Sequence, residues 1–247
     1  MRKARCGIIG GVGPSATVQL MQYIIRNTPT RRDQDHIRLI IDNHPQIPDR
    51  TDALLYGGES PVPYLIESID ILKQAGADFI ACPCNTAHFF LRTLAVQESF
   101  ELVDMIEVTV KYLAERGVRD AGLLSTSGTA STGIYQETGR RHGVSIHSPS
   151  EAGIGDVMEA VYGVRGIKAN SRYEKSNRNR QLLKGVIREF EDKGFTAVIM
   201  GCTEIPLSLR KRDTSLELVN PTELLAMEII NKGVKGVKGI GAFRFTP

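Results

Sequence analysis

The chain has 247 residues, 41% apolar and 24% charged, with no tryptophan, an ordinary globular composition that suits one large domain or two small ones. A formal net charge of +3 is too slight to imply a nucleic-acid or membrane partner. Four cysteines without regular spacing argue against a disulfide framework and predict reduced thiols in a cytoplasm.

The start, Met1–Cys6, is basic, and the apolar run after it is short and broken by Gly7, Gly10 and Gly11, so neither a signal peptide nor a membrane span is expected. Residues 6–13 predict a first strand breaking into a glycine turn. Ser15–Arg26 then carries a helical stripe of Val18, Met21, Ile24 and Ile25. Taken alone, Gly11 to Ala16 fits the dinucleotide pattern G-x-G-x-x-A. Pro14 removes one amide that would cradle a pyrophosphate, and Asp42 lies late for a ribose contact, so a nucleotide is the weaker reading.

His36–Asn43 reads as a buried strand that empties into the proline-stiffened loop H-P-Q-I-P-D-R at 44–50. Ser60–Ala75 predicts a helix with Leu65, Ile66, Ile69 and Leu72 inward and Gly76 closing it. Next comes A-D-F-I-A-C-P-C-N-T-A-H at 77–88, an apolar strand running into Cys84, with Asn85 and Thr86 opening a helix. Cys82 and Cys84 form a C-x-C, but zinc sites want longer spacings and further ligands, so no metal is expected.

The second part of the chain repeats the first. Residues 121–135 (A-G-L-L-S-T-S-G-T-A-S-T-G-I-Y) align with 6–20, pairing Gly7 with Gly122 and Gly13 with Gly128. F-T-A-V-I-M-G-C-T-E at 195–204 lays Cys202 on Cys84 and Gly194 on Gly76, and F-E-L-V-D at 100–104 matches L-E-L-V-N at 216–220. Leu182, Leu183, Val186, Ile187 and Phe190 repeat the inward helical stripe. Three ordered blocks at nearly one offset predict two duplicated, pseudo-symmetric α/β halves with parallel sheets, whose carboxyl edges place ligands. Between them, Ala152–Val164 predicts a short helix. The following Arg165, Lys168, Arg172, Lys175, Arg178 and Arg180 meet one acid, Glu174, as a solvated face or a lid. Glycine-rich Lys232–Pro247 reads as a docking strand or a frayed tail.

A cysteine ending a strand is commonly an inert buried hydrophobe. Two at equivalent positions of a duplication, followed by Asn85 and Thr203, point to function, and a thiol at a helix start is expected to favour thiolate. Two thiols facing one carbon from opposite sides suit a proton removed from one face and returned to the other. The carboxylate of such a substrate needs cations and donors: Arg50 and Lys168, with Gly13, Asn85, Thr86, Thr126, Ser127, Thr129 and Thr203.

The motifs G-I-I-G-G-V-G-P (7–14), I-P-D-R (47–50), C-N-T-A-H (84–88), S-T-S-G-T (125–129), I-K-A (167–169) and G-C-T-E-I (201–205) span nearly the whole chain. On these the sequence resembles the cofactor-independent aspartate/glutamate racemases, in their aspartate racemase branch. The resemblance implies an interdomain active site, no PLP, metal or nucleotide, an acidic amino acid as substrate, and a homodimer. It also implies Cys202 acting on the L-enantiomer, Cys84 on the D-enantiomer, and Arg50 and Lys168 holding carboxylates. Val12 and Ser15 depart from the family pattern, where relatives often carry Met and an acidic residue. His88 stands as an assistant to the Cys84 thiol or as a packing residue, and Glu204 as a helix-dipole partner. The alternatives are a related isomerase or decarboxylase of another small carboxylic acid, or a non-catalytic small-acid or nucleotide binder. The expected division is 1–110 with 221–247 against 111–220.

Overall fold

In the computed structural model, which describes residues 3–234, the first parallel sheet is built around β1 (Arg5–Gly10), a run of buried residues. After β1 the chain passes through α1 (Pro14–Asn27), β2 (Arg38–Asn43), α2 (Arg50–Leu55) and α3 (Val62–Gln74). It then forms β3 (Phe79–Ala81), α4 (His88–Gln97), β4 (Leu102–Val103) and α5 (Met105–Glu115). The second half runs β5 (Asp120–Leu124), α6 (Ser127–Thr132), α7 (Ile134–His142), β6 (Ser145–His147), α8 (Glu151–Tyr162) and α9 (Asn177–Glu191). It closes with β7 (Ala197–Met200), α10 (Ile205–Ser208), β8 (Glu217–Val219) and α11 (Pro221–Val234). Residues 235–247, which hold most of the glycine-rich tail, lie outside the described residues.

Strand order is β2-β1-β3-β4 in one sheet and β6-β5-β7-β8 in the other, all parallel. The register repeats with the sequence. Gly7 faces Ile80 in the first half as Gly122 faces Val198 in the second. Both glycines let a helix press on the sheet: a Cβ on Gly7 would stand 3.2 Å from Leu72 of α3, and one on Gly122 2.6 Å from the Phe190 ring of α9. The duplicated α/β architecture is therefore present down to the pairing of single residues.

Local chemistry sets the helix starts next to the site. Asp49 caps α2, its Oδ1 accepting from the Thr51 and Asp52 amides at 2.8 and 3.0 Å. Asp104 caps α5 in the same way, with Ile106 and Glu107 amides at 2.9 and 3.0 Å. Three expectations need correction. β2 is an edge strand, half-exposed along its length, because only β1 flanks it. Of the apolar stripe expected on α1 only Ile24 is buried: it goes inward with Ala16, Thr17 and Leu20, while Val18, Met21 and Ile25 are exposed. The helices after the cysteines start later than their polar residues suggested, with Ala87 capping α4 and Glu204 capping α10, not Asn85 and Thr203.

The last helices of the two halves trade places. α5 follows the first sheet but buries Ile106, Val110 and Leu113 against Ala121, Leu123 and Ile199 of the second. α11 follows the second sheet but buries Leu225, Ile229 and Ile230 against Cys6, Ile8, Leu20 and Phe79 of the first. The residue-110 boundary expected from the repeats falls inside α5. Burying these apolar side chains, at about 1.5–3 kcal/mol each, ties each sheet to the helix that follows the other.

Candidate active site

Both cysteines sit just beyond the carboxyl ends of equivalent central strands, Cys84 after β3 and Cys202 after β7. They line one narrow cavity between the halves. Arg50, Asn85, Thr86, Thr126, Lys168 and Thr203 line it too, so eight of the residues singled out in the sequence converge there. Gly13 lines an adjoining outer pocket instead. Ser127 and Thr129 line neither. Ser127 donates to the Met158 sulfur at 3.4 Å, and Thr129 stands behind the wall, its hydroxyl 2.7 Å from that of Thr86. Val12, Tyr162 and Glu204 also face the cysteine cavity, although the sequence did not mark Tyr162 and gave Glu204 only a dipole role.

The two thiols have unlike neighbours. Cys202 donates its Sγ–H to Glu204 Oε2 at 2.9 Å, and Thr203 Oγ1 donates to the same oxygen at 3.2 Å. Lys168 Nζ pairs with the other carboxylate oxygen at 3.5 Å. The expected thiolate-favouring shift is absent at Cys202: burial pushes its pKa well up, and the Glu204 charge adds to this. A four-residue α10 has little dipole with which to oppose them. Burial alone would raise Glu204, but Lys168 and the two donors outweigh it and hold the carboxyl below its usual range. Lys168, whose ammonium burial disfavours, is in turn raised by Glu204 and Tyr162.

Cys84 instead neighbours Arg50. Burial works against the guanidinium, yet Cys84, Asp49 and Tyr162 raise it above the ordinary arginine value. Arg50 is 6% exposed and donates to the carbonyls of Ile47, Pro48 and Val12 at 3.3, 3.1 and 3.4 Å, which fix it as the first residue of α2. The remaining cysteines, Cys6 and Cys82, lie in the cores, and burial pushes both thiols up.

His88 is a structural pin. Its Nε2 accepts the Met105 amide at 3.1 Å, which leaves Nδ1 to donate to the Cys84 carbonyl at 2.8 Å. Other ties hold the Cys84 turn from the far half: buried Tyr135 of α7 donates to Asn85 Oδ1 at 2.6 Å. On the opposite wall, the Tyr162 hydroxyl donates to Asp49 Oδ2 at 2.8 Å, and its ring lies 5.1 Å beneath Lys168 Nζ.

Asn85 Nδ2, Thr126 Oγ1 and Arg50 Nε are buried without a hydrogen-bond partner. Thr126 occupies the N-cap of α6 yet spends no side-chain bond on it. Buried polar groups ordinarily find partners, so three orphans around one cavity mark where a polar ligand belongs.

Two duplicated parallel-sheet halves with a cysteine at each carboxyl edge define a two-domain α/β racemase fold. Residues 9–229 match the model of the Asp/Glu/hydantoin racemases, and the chain belongs to that family, an isomerase family. Among solved structures it is similar to the aspartate racemase of Picrophilus torridus, with 31% identity, a TM-score of 0.78, and coverage of 92% of this chain and 93% of that one. It is also similar to an aspartate racemase homologue from Pyrococcus horikoshii OT3, with 25% identity, a TM-score of 0.71, and coverage of 93% and 98%. The broad specificity amino-acid racemase RacX of Bacillus subtilis is 23% identical over 231 residues, 91% of this chain and 96% of the relative.

Proposed function

We propose that the protein is an amino-acid racemase that interconverts L- and D-aspartate by two-base proton transfer, with Cys84 and Cys202 on opposite faces of the α-carbon. The observation that carries this reading is the set of three orphaned polar groups around the cavity that both cysteines line. Asn85 Nδ2, Thr126 Oγ1 and Arg50 Nε can donate to a bound carboxylate. There they stabilise the second negative charge that develops as the α-proton leaves.

One sulfur, as thiolate, takes the α-proton, so the C–H bond breaks and its electron pair spreads into the carboxylate. The other sulfur, as thiol, gives its proton to the opposite face, and the new C–H bond completes the inverted product. The two thiols thereby exchange protonation states and are set for the reverse direction. The Cys202–Glu204 bond supports a starting state with Cys202 protonated, ready to donate. In that state Cys84 is the base, toward the D-enantiomer; after a turnover Cys202 is left as thiolate and serves as base toward the L-enantiomer.

The test is isotope wash-in. In deuterated water the wild type should exchange the α-proton of both aspartate enantiomers. Replacing either cysteine by serine should abolish racemisation, while Cys84→Ser still exchanges the L-substrate and Cys202→Ser the D-substrate. Wild-type racemisation by both single variants would make the cysteines structural.

A further inference from the structure

The cysteine cavity has a neck. Arg50, Lys168 and Glu204 line both that cavity and the outer pocket, a roomier open hollow on the other side of them. An α-carbon held between the sulfurs would direct its side chain through this neck. The β-carboxylate of aspartate would end among the neck residues and leave the outer pocket untouched.

Charge at the neck is balanced. Arg50 and Lys168 stand against Asp49 and Glu204, with Lys168 on Glu204 at 3.5 Å and Arg50 held by three carbonyls. Asp49 is held below its usual range: burial opposes this, but the Asp52 amide and Tyr162 outweigh it. A side-chain carboxylate entering the neck must draw Lys168 away from Glu204, whereas an uncharged chain passes without breaking any pair. Beyond the neck the wall is mixed: Pro14, Pro45, Ile47, Ile167 and Leu207 alternate with Gly11, Gly13 and Ser15, and Asp49 is the one charged residue there that does not also line the cysteine cavity. The apolar part of that wall, with no charge pair to break, gains by burying methylenes, at about 0.8 kcal/mol each.

We propose that the outer pocket is a side-chain subsite and that the substrate range extends past aspartate to amino acids with long uncharged side chains. The inference rests on the racemase reading given above.

The test compares α-proton exchange of L-aspartate, L-methionine and L-norleucine in deuterated water, with two variants that fill the pocket from opposite walls. Leu207→Trp narrows it from α10, and Ser15→Tyr from the exposed start of α1. The wild type should process methionine and norleucine with kcat/KM within about tenfold of aspartate. Each variant should lower kcat/KM for the two long substrates by roughly tenfold or more and for aspartate by less than about threefold. Exchange of aspartate alone by the wild type, or equal losses for all three substrates in both variants, overturns the subsite while leaving the racemase standing. No exchange with any amino acid overturns both.

Discussion

The Cys202 thiol and the Glu204 carboxylate are bonded at 2.9 Å, so one of the two sulfurs meets an anion before any substrate arrives. Glu204→Gln keeps the shape and removes the charge. The Cys202 thiol should then ionise more readily, and its alkylation should begin about one pH unit or more lower than in the wild type. Peptide-resolved mass spectrometry after iodoacetamide labelling across pH reads this for Cys202 alone. An unmoved profile would mean that burial alone governs the thiol.

Tyr135 sets which end of the Asn85 amide looks into the cavity. Burial raises the phenol far above its usual range, so it keeps its proton and donates it to Oδ1, turning Nδ2 toward the ligand. Tyr135→Phe frees the amide to rotate and to present an acceptor to a carboxylate. The expected outcome is a KM for aspartate raised roughly five- to tenfold, equivalent to about 1–1.5 kcal/mol, with kcat changed far less. Steady-state kinetics beside a thermal melt check this, and a changed Tm with an unchanged KM would leave Tyr135 as packing only.

His88 predicts a pH dependence of stability. Burial is the main influence and holds its folded pKa below the ordinary 6.5, where the neutral ring accepts the Met105 amide. Its contribution is complete above 6.5 and is lost as pH falls from there through the lower folded value, because the unfolded chain takes up the proton first. Denaturant unfolding should show stability declining as pH falls below about 6.5, with a shallower decline in His88→Gln despite lower stability at neutral pH. Parallel slopes would show that other groups carry the acid limb.

The duplication was legible because its markers are steric. Gly7 and Gly122 had to stay small under Leu72 and Phe190, and that constraint left both in matching positions of the sequence. The eight cavity residues were legible because the repeats and the family motifs both pointed to the carboxyl edges. What the sequence hid was set by long-range partners. Asn85 and Thr203 have the chemistry of helix caps, but Tyr135 and Glu204 engage their side chains instead. Glu204 looked like a dipole partner because nothing in the sequence showed that α10 would be a single turn or that Lys168 would reach it. The exposed Val18, Met21 and Ile25 misled the reading of α1, since apolar periodicity alone does not say which of two stripes packs.

The exchange of α5 and α11 has a consequence for how the protein is made. Met227, Ile229, Ile230 and Val234 complete the apolar cluster around Cys6, Ile8 and Leu20, yet the ribosome delivers them after the strands of both sheets. At about 5–20 residues per second, the β1 face waits roughly ten seconds or more between its own emergence and the arrival of its cover. The second sheet receives α5 before its own strands exist. The half synthesised last therefore has its full complement of packing first, and the half synthesised first stays open to chaperones or to misassembly until α11 emerges.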